Sequence, residues 1–338
     1  MLSHIFFNDG NVKRAKVEHF MYFCTNFSVM KGASKGHIAI LVTNVIFGLN
    51  IVIAKQVLSN ESIDALTLTY FRFAGATIVF WITSCFIKEE KMSLKDFLMI
   101  LGASVLGVTI NQTSFIAGLN STSPIDASLI ITLTPILTML ISAAYLKEPI
   151  TSKKVIGVLV GCTGAVILIL SNYSLNGNQS RSWIGNALCL LSSLSYACYL
   201  VFFRDFIKTK HPITLMKWMF LFAGVLLLPI GVPKIKMVDF TQINTLLYME
   251  ILYVVLFATF LTYLLIPIGQ KNLRPTTLTM YNYLQPIIAA VIVVILGRDN
   301  FGWEKILSTI LVFLGVYIVT KSKSRQQLEQ EKESKSIN

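Results

Sequence analysis

Charge is the scarcest commodity in this chain. Of its 338 residues only 14% are Asp, Glu, Lys or Arg, where a soluble domain carries about a quarter. That is too few to clothe a water-facing surface. Histidine is sparse as well: His4, His19, His37 and His211 show no H-E-x-x-H spacing. The five cysteines form no C-x-x-C pair, and four of them lie inside apolar runs. A disulfide framework and a zinc site are both poorly supported, so neither metal nor cofactor is expected. No G-x-x-x-x-G-K loop occurs, which speaks against ATP-driven work by this chain alone. No Ser/His/Asp grouping with supporting context suggests an enzyme.

What the chain has in abundance is apolar length. It is 54% hydrophobic with a mean hydropathy of +0.67. About 20 mostly apolar residues cross a bilayer as a helix. Ten segments qualify, approximately 36–55, 64–87, 96–118, 122–146, 154–171, 183–203, 213–232, 245–269, 275–297 and 303–320. The expected fold is therefore all-α and polytopic, with the lipid bilayer as its surroundings. The formal net charge of +12 does not indicate nucleic acid, because the basic residues sit in short gaps between apolar runs. Their distribution instead fixes an orientation. With the N-terminus inside, 21 Lys and Arg fall in inward segments and 6 in outward ones. The positive-inside rule then predicts cytoplasmic N- and C-termini and a multi-pass protein of the plasma (inner) membrane.

Residues 1–35 read as a cytoplasmic tail. No continuous apolar core or small-residue cleavage site marks a signal peptide there. The reading adopted is that Met30 is the natural start, residues 1–29 being a disordered extension or the product of a misplaced start. Residues 172–182 read as an external linker and 321–338 as a second cytoplasmic tail.

Sliding the sequence against itself reveals a repeat. At an offset of 151 residues Pro124 meets Pro275, Pro135 meets Pro286 and Gly118 meets Gly269. Lys147-Glu148 likewise meets Arg298-Asp299, and the first helices align at 149, pairing Gly36 with Gly185 and Lys55 with Arg204. The units are 36–171 and 183–320, with five spans each. An odd number of spans inverts the second unit relative to the first. Inverted repeats are an architecture of alternating-access transporters, whose substrate site lies near the midplane. A duplicated scaffold without transport is the plainer alternative.

These landmarks resemble the drug/metabolite transporter superfamily, specifically the ten-helix EamA-type exporters. Phe47-Gly48-Leu49-Asn50 followed by Lys55 is similar to that family's W-G-x-N…K pattern, with Phe in place of Trp. Arg72-Phe73 precedes the small residues Ala74, Gly75 and Ala76, although the proline often found before the arginine is absent. Ala127 to Thr134-Pro135-Ile136, then Lys147-Glu148-Pro149, looks like the signature region, repeated by Gln285-Pro286-Ile287. The resemblance covers 36–320. It implies peripheral fifth and tenth helices around a central cavity, and export of amino acids or similar metabolites.

The candidate cavity residues are neutral, polar and aromatic. They are Asn44 and Asn50, Asn111 and Gln112, and Ser128 with Thr132, which share a helix face at i and i+4. The second unit supplies Tyr196, Tyr199, Thr259, Tyr263, Tyr281, Asn282 and Gln285. For any one of them, interhelical hydrogen bonding is the plainer role. The cluster 281–285 is denser than such bonding requires. Pro135 and Pro286 lie mid-span, where each removes a helix hydrogen bond, and read as matched hinges. Arg72 lies deep in its span, where a charge is costly unless paired or solvated. It can attract a substrate carboxylate, or tie helices together through its five donors; the second role is preferred because the resembled family keeps this arginine across varied substrates.

The expectation is a secondary transporter, exporting amino acids or related small metabolites by alternating access. The rivals are a same-fold transporter of another class (sugar-nucleotide, vitamin or amine), an integral membrane lipid enzyme, and a non-transporting scaffold.

Overall fold

A computed structural model of the chain describes residues 32–60, 63–122, 127, 130–171, 183–238, 240, 243–295 and 303–322. The proposed start at Met30, the linker 172–182 and the candidate Ser128 lie outside these residues, as do Arg298 and Asp299. Every regular element among the described residues is helical. The first half contains α1 (Gly32–Leu58), α2 (Ala65–Ser84), α3 (Leu94–Ser121), α4 (Thr134–Tyr145) and α5 (Ser152–Ser171). The second contains α6 (Trp183–Phe202), α7 (Pro212–Lys236), α8 (Thr245–Asn272), α9 (Leu284–Ile295) and α10 (Trp303–Thr320). Of these, α1, α2, α3, α6, α7 and α8 are long and apolar enough to cross a membrane by length and composition.

The helices turn apolar side chains outward as well as inward. Ile78, Leu98, Val225, Leu246, Met249, Ile310 and Phe313 are all exposed. A helix hydrophobic on every side belongs in lipid, where its backbone polar groups are satisfied within the segment.

Helix ends are capped where the sequence supplies a cap. Asp64 accepts from Thr67 N–H at 2.7 Å to start α2. Ser93 and Asp96 form a reciprocal capping box at the start of α3. At the end of α4, Lys147 takes φ = 52°, a left-handed conformation unusual for a side-chain-bearing residue. The turn returns Glu148 N–H to Ser142 O at 3.3 Å. It also buries the Glu148 carboxylate between Lys154 Nζ (2.9 Å) and Arg204 Nη1 (3.3 Å).

Two features interrupt the helices in both halves at the same repeat positions. The first is a π-helical turn at Val105–Ile110 in α3 and at Leu256–Leu261 in α8, offset by 151 residues. The second is a break before each matched proline. Thr132 and Leu133 form a turn before α4, and a 3-10 turn, Tyr281–Tyr283, precedes α9. Pro135 stands at the start of α4. Pro286 lies in the first turn of α9, which the 3-10 turn joins to a preceding helical run, Pro275–Met280, so each proline withholds a helix N–H at a change of helical geometry.

Glycines set the closest helix contacts. A Cβ on Gly157 would lie 2.9 Å from Gly315 O, and one on Gly315 would lie 2.6 Å from Gly157 O. This pins α5 to α10, away from the centre, and small residues are what allow such backbone approach in lipid.

Candidate functional site

At mid-depth between the two halves lies a cavity of roughly 620 Å³, including its open mouth. Neither α5 nor α10 lines it. Its polar wall comes from Asn50 on α1, Asn111 and Gln112 on α3, Ser192 and Ser193 on α6, Asn282 in the 3-10 turn before α9 and Gln285 in the first turn of α9. Phe47, Phe115, Tyr196 and Tyr263 add aromatic surface. Arg72 on α2 is its one charged lining residue among the described residues.

The cavity inherits the repeat. Phe47 and Tyr196 are counterparts at an offset of 149, while Gln112 and Tyr263, Phe115 and Ile266, Ile131 and Asn282, and Thr134 and Gln285 are counterparts at 151. All ten line the cavity. The shape is pseudo-twofold but the chemistry is not: Asn282 and Gln285 face the apolar Ile131 and the smaller Thr134 as their counterparts.

Polar contacts hold this wall in register. Gln285 Nε2 donates to Asn44 Oδ1 at 2.8 Å, and Asn44 Nδ2 donates to Ile40 O at 2.9 Å. Asn111 Nδ2 donates to Ser192 O and Oγ, both at 3.0 Å, joining α3 to α6. Gln112 Nε2 donates to Asn111 Oδ1 at 3.1 Å and to the Tyr263 hydroxyl. Tyr263 in turn donates to Gly107 O at 3.2 Å, a carbonyl inside the first π turn. A π turn shifts helix bonds out of register and releases carbonyls for other donors.

Arg72 uses the second π turn in the same way. It is 1% exposed and lies about 12 Å along α2 from the Asp64 cap, at 1.5 Å per residue. Its Nε donates to Thr259 Oγ1 at 2.9 Å and its Nη2 to Ala258 O at 3.3 Å. Ala258 is the repeat counterpart of Gly107. Thr259 Oγ1 also donates to Val254 O at 2.7 Å, so the hydroxyl is oriented to accept from the arginine. Arg72 thus ties α2 to α8, while Nη1 has no hydrogen-bond partner among the described residues.

Of the candidates named from sequence, Asn50, Arg72, Asn111, Gln112, Tyr196, Tyr263, Asn282 and Gln285 line one cavity. The others stand just behind it or away from it. Asn44 holds Gln285, and Thr259 holds Arg72. Tyr199 donates to Gln270 Oε1 at 3.1 Å, and Tyr281 OH lies 2.7 Å from His37 Nδ1. The first contact joins α6 to α8 within the second half, and the second joins the two halves near the start of α1. Thr132 is buried at the break before α4 and is not among the lining residues. Sequence reasoning missed Phe47, Ile131, Thr134 and Ser193 as lining residues. The signal was available: each is the repeat counterpart of a named candidate, Tyr196, Asn282, Gln285 and Asn44 respectively.

Lys217 on α7 is buried, with Nζ 5.0 Å from the Trp81 ring centroid and 5.8 Å from that of Trp218. A cation over aromatic faces is stabilised by the ring quadrupole.

Comparison with known proteins agrees with this architecture. The model of the EamA-like transporter family matches residues 34–170 and again 183–321, which are the two repeats. The chain is 25% identical to the uncharacterized transporter YyaM of Bacillus subtilis (strain 168), over 73% of this chain and 81% of that protein. It is 24% identical to an uncharacterized transporter of Archaeoglobus fulgidus, over 86% of this chain and 100% of that one. The WAT1-related protein At3g53210 of Arabidopsis thaliana is 25% identical over 86% of each. A solved crystal structure superimposes with a TM-score of 0.69 at 16% identity, covering 85% of this chain and 96% of the other, a likeness of fold. A helical bundle repeated about a central polar cavity, with the family match falling once on each repeat, places this chain in the EamA-like transporter family.

Proposed function

We propose that this transporter exports amino acids or closely related small metabolites across the plasma membrane by alternating access, with both termini cytoplasmic and without enzymatic activity. The observation that carries the reading is the cavity itself. It lies between two repeats, at mid-depth, and mixes amide side chains with aromatic rings. Such a lining suits a small solute with a polar head and an apolar side chain. The 21-to-6 distribution of basic residues supports the orientation.

The prolines supply a route for movement. Pro135 and Pro286 head helical segments at matched breaks, and these breaks are the hinges about which the repeats rock. A Pro286→Ala variant is expected to fold and to slow exchange severalfold, because the break loses its enforced geometry.

Counterflow in proteoliposomes tests the reading. Vesicles are loaded with pools of unlabelled amino acids and challenged with traces of labelled ones. Accumulation that disappears in an Asn282→Ala/Gln285→Ala variant of intact fold is the expected result. No accumulation of any amino acid, from protein shown to be folded, would overturn the substrate assignment.

A further inference from the structure

Lys217 does not line the cavity, and nothing in the transport reading uses it. It stands five residues into α7, about 7.5 Å from the helix start at 1.5 Å per residue. Trp81 lies three residues before the end of α2, and Phe97 three residues into α3. Ring contacts bring these helix ends together: Trp81 meets Trp218 at 5.3 Å, and Phe97 packs edge-on to Trp218 at 4.8 Å. Trp81, over which the ammonium sits, is 38% exposed. Tryptophan near the ends of membrane helices sits at headgroup level, with an apolar body in lipid and a polar edge in water.

The cation at this depth has no counter-charge from the protein. Neither α2 nor α7 contains an Asp or Glu. Asp96, in the first turn of α3, is taken by Lys210 at 2.9 Å, and no ion pair or hydrogen bond among the described residues engages the Lys217 ammonium. The aromatic faces attract it but supply no negative charge. Nor is it sealed in. Nitrogens wholly enclosed and unpartnered occur at Arg72 Nη1, Arg204 Nε and Gln270 Nε2, but Lys217 Nζ is not one of them and keeps an accessible edge. Beside the rings, Ile78, Ile82 and Leu98 expose apolar side chains. In the adjoining turn Lys88, Lys91 and Lys95 are exposed against one exposed carboxylate, Glu89, while Glu90 accepts from His211 N–H.

We propose that Lys217, seated over Trp81 and Trp218, holds the phosphate of an anionic phospholipid whose acyl chains run along Ile78 and Leu98. The phosphate supplies the missing counter-charge, and basic groups near a bilayer surface favour anionic headgroups. A zwitterionic lipid fits less well, because its own cation meets Lys88, Lys91 and Lys95. The occupant is a lipid and not a dissolved anion because the ammonium opens among side chains that face lipid. Bound there, it bridges α2 and α3 of the first half to α7 of the second.

Lipids brominated near the headgroup end of the chain test this, because bromine quenches a tryptophan it touches. The full chain is reconstituted in phosphatidylcholine vesicles with a minor fraction of phosphatidylglycerol, one lipid or the other being brominated. Trp183→Phe/Trp303→Phe leaves Trp81 and Trp218 as reporters, since the two removed are exposed residues at the starts of α6 and α10, at the opposite end of the bundle. Phosphatidylglycerol beside the reporters should be enriched about fivefold over its bulk fraction, the effect of one basic group near an anionic surface. Lys217→Met keeps the apolar stem and should remove most of that enrichment, and Lys217→Arg should retain it. Equal quenching by the two lipids, or enrichment untouched by Lys217→Met, would overturn the proposal and leave Lys217 as a cation packed on rings. Inorganic phosphate should not relieve the quenching; if it does, the site takes a free anion and the lipid assignment falls.

Discussion

Gln112 and Tyr263 occupy the same position in the two repeats and are hydrogen-bonded to each other. The amide of one half meets the hydroxyl of the other at the seam between them. The pair is therefore both a structural staple and a marker of the pseudo-twofold relation. Tyr263→Phe removes the acceptor for Gln112 Nε2 and the donor to Gly107 O together. Its expected cost is about 1–3 kcal/mol, the penalty for buried groups left unpaired. A double-mutant cycle with Gln112→Met checks this by thermal melting: the paired variant should be less destabilised than the sum of the two single ones.

The contact between α5 and α10 predicts a different kind of failure. Gly315→Leu places a side chain where even a Cβ would lie 2.6 Å from both Gly157 O and Gly161 N. Overpacking of this kind costs about 1–3 kcal/mol or more. Because neither helix lines the cavity, exchange per folded molecule should remain near wild type. A melting curve paired with counterflow normalised to folded protein would show both.

Glu148 bridges Lys154, which is 2% exposed, and Arg204, which is 23% exposed. Removing the carboxylate alone strands Lys154. Glu148→Leu is expected to cost about 3–5 kcal/mol, the range for breaking a buried pair. Adding Lys154→Met should recover most of that loss, since Arg204 can turn toward water. Recovery of no more than a small fraction would mean that the cost arises elsewhere, for example in the turn at Lys147.

Asp64 combines a cap with an ion pair to Lys234 at 2.9 Å. Burial by itself would raise the Asp64 carboxyl, but its bonds with Thr67 and the pairing with Lys234 outweigh it and hold the group below the ordinary carboxylate range. A folded value below the unfolded one stabilises above the unfolded pKa, and that stabilisation is lost as pH falls through the folded one. Asp64→Ala should therefore destabilise by about 1 kcal/mol, the usual worth of an N-cap, and flatten the acid limb of the stability profile. Asp64→Asn keeps the cap and should flatten the limb alone. Melting temperatures across an acid-to-neutral series separate the two.

The sequence by itself determined the class of molecule, because a bilayer admits so few solutions. Scarce charge and long apolar runs exclude a soluble fold, and only backbones that satisfy themselves can cross lipid. The repeat was legible from rare residues such as Pro135 and Pro286, whose offset survives where ordinary apolar positions drift. Most of the cavity wall was also legible, since Asn282, Gln285, Asn111 and Gln112 have little reason to stand deep in an apolar span.

Tertiary structure decided what periodicity cannot express. The π turns at 105–110 and 256–261 leave no mark in hydropathy, yet they release the carbonyls that hold Tyr263 and Arg72. Two matched prolines announce a disturbance, but only the packed bundle shows a break with a proline heading the next helix. Above all, the sequence could not name the partners of Arg72, because Thr259 and Ala258 stand nearly two hundred positions away and meet it only across the seam.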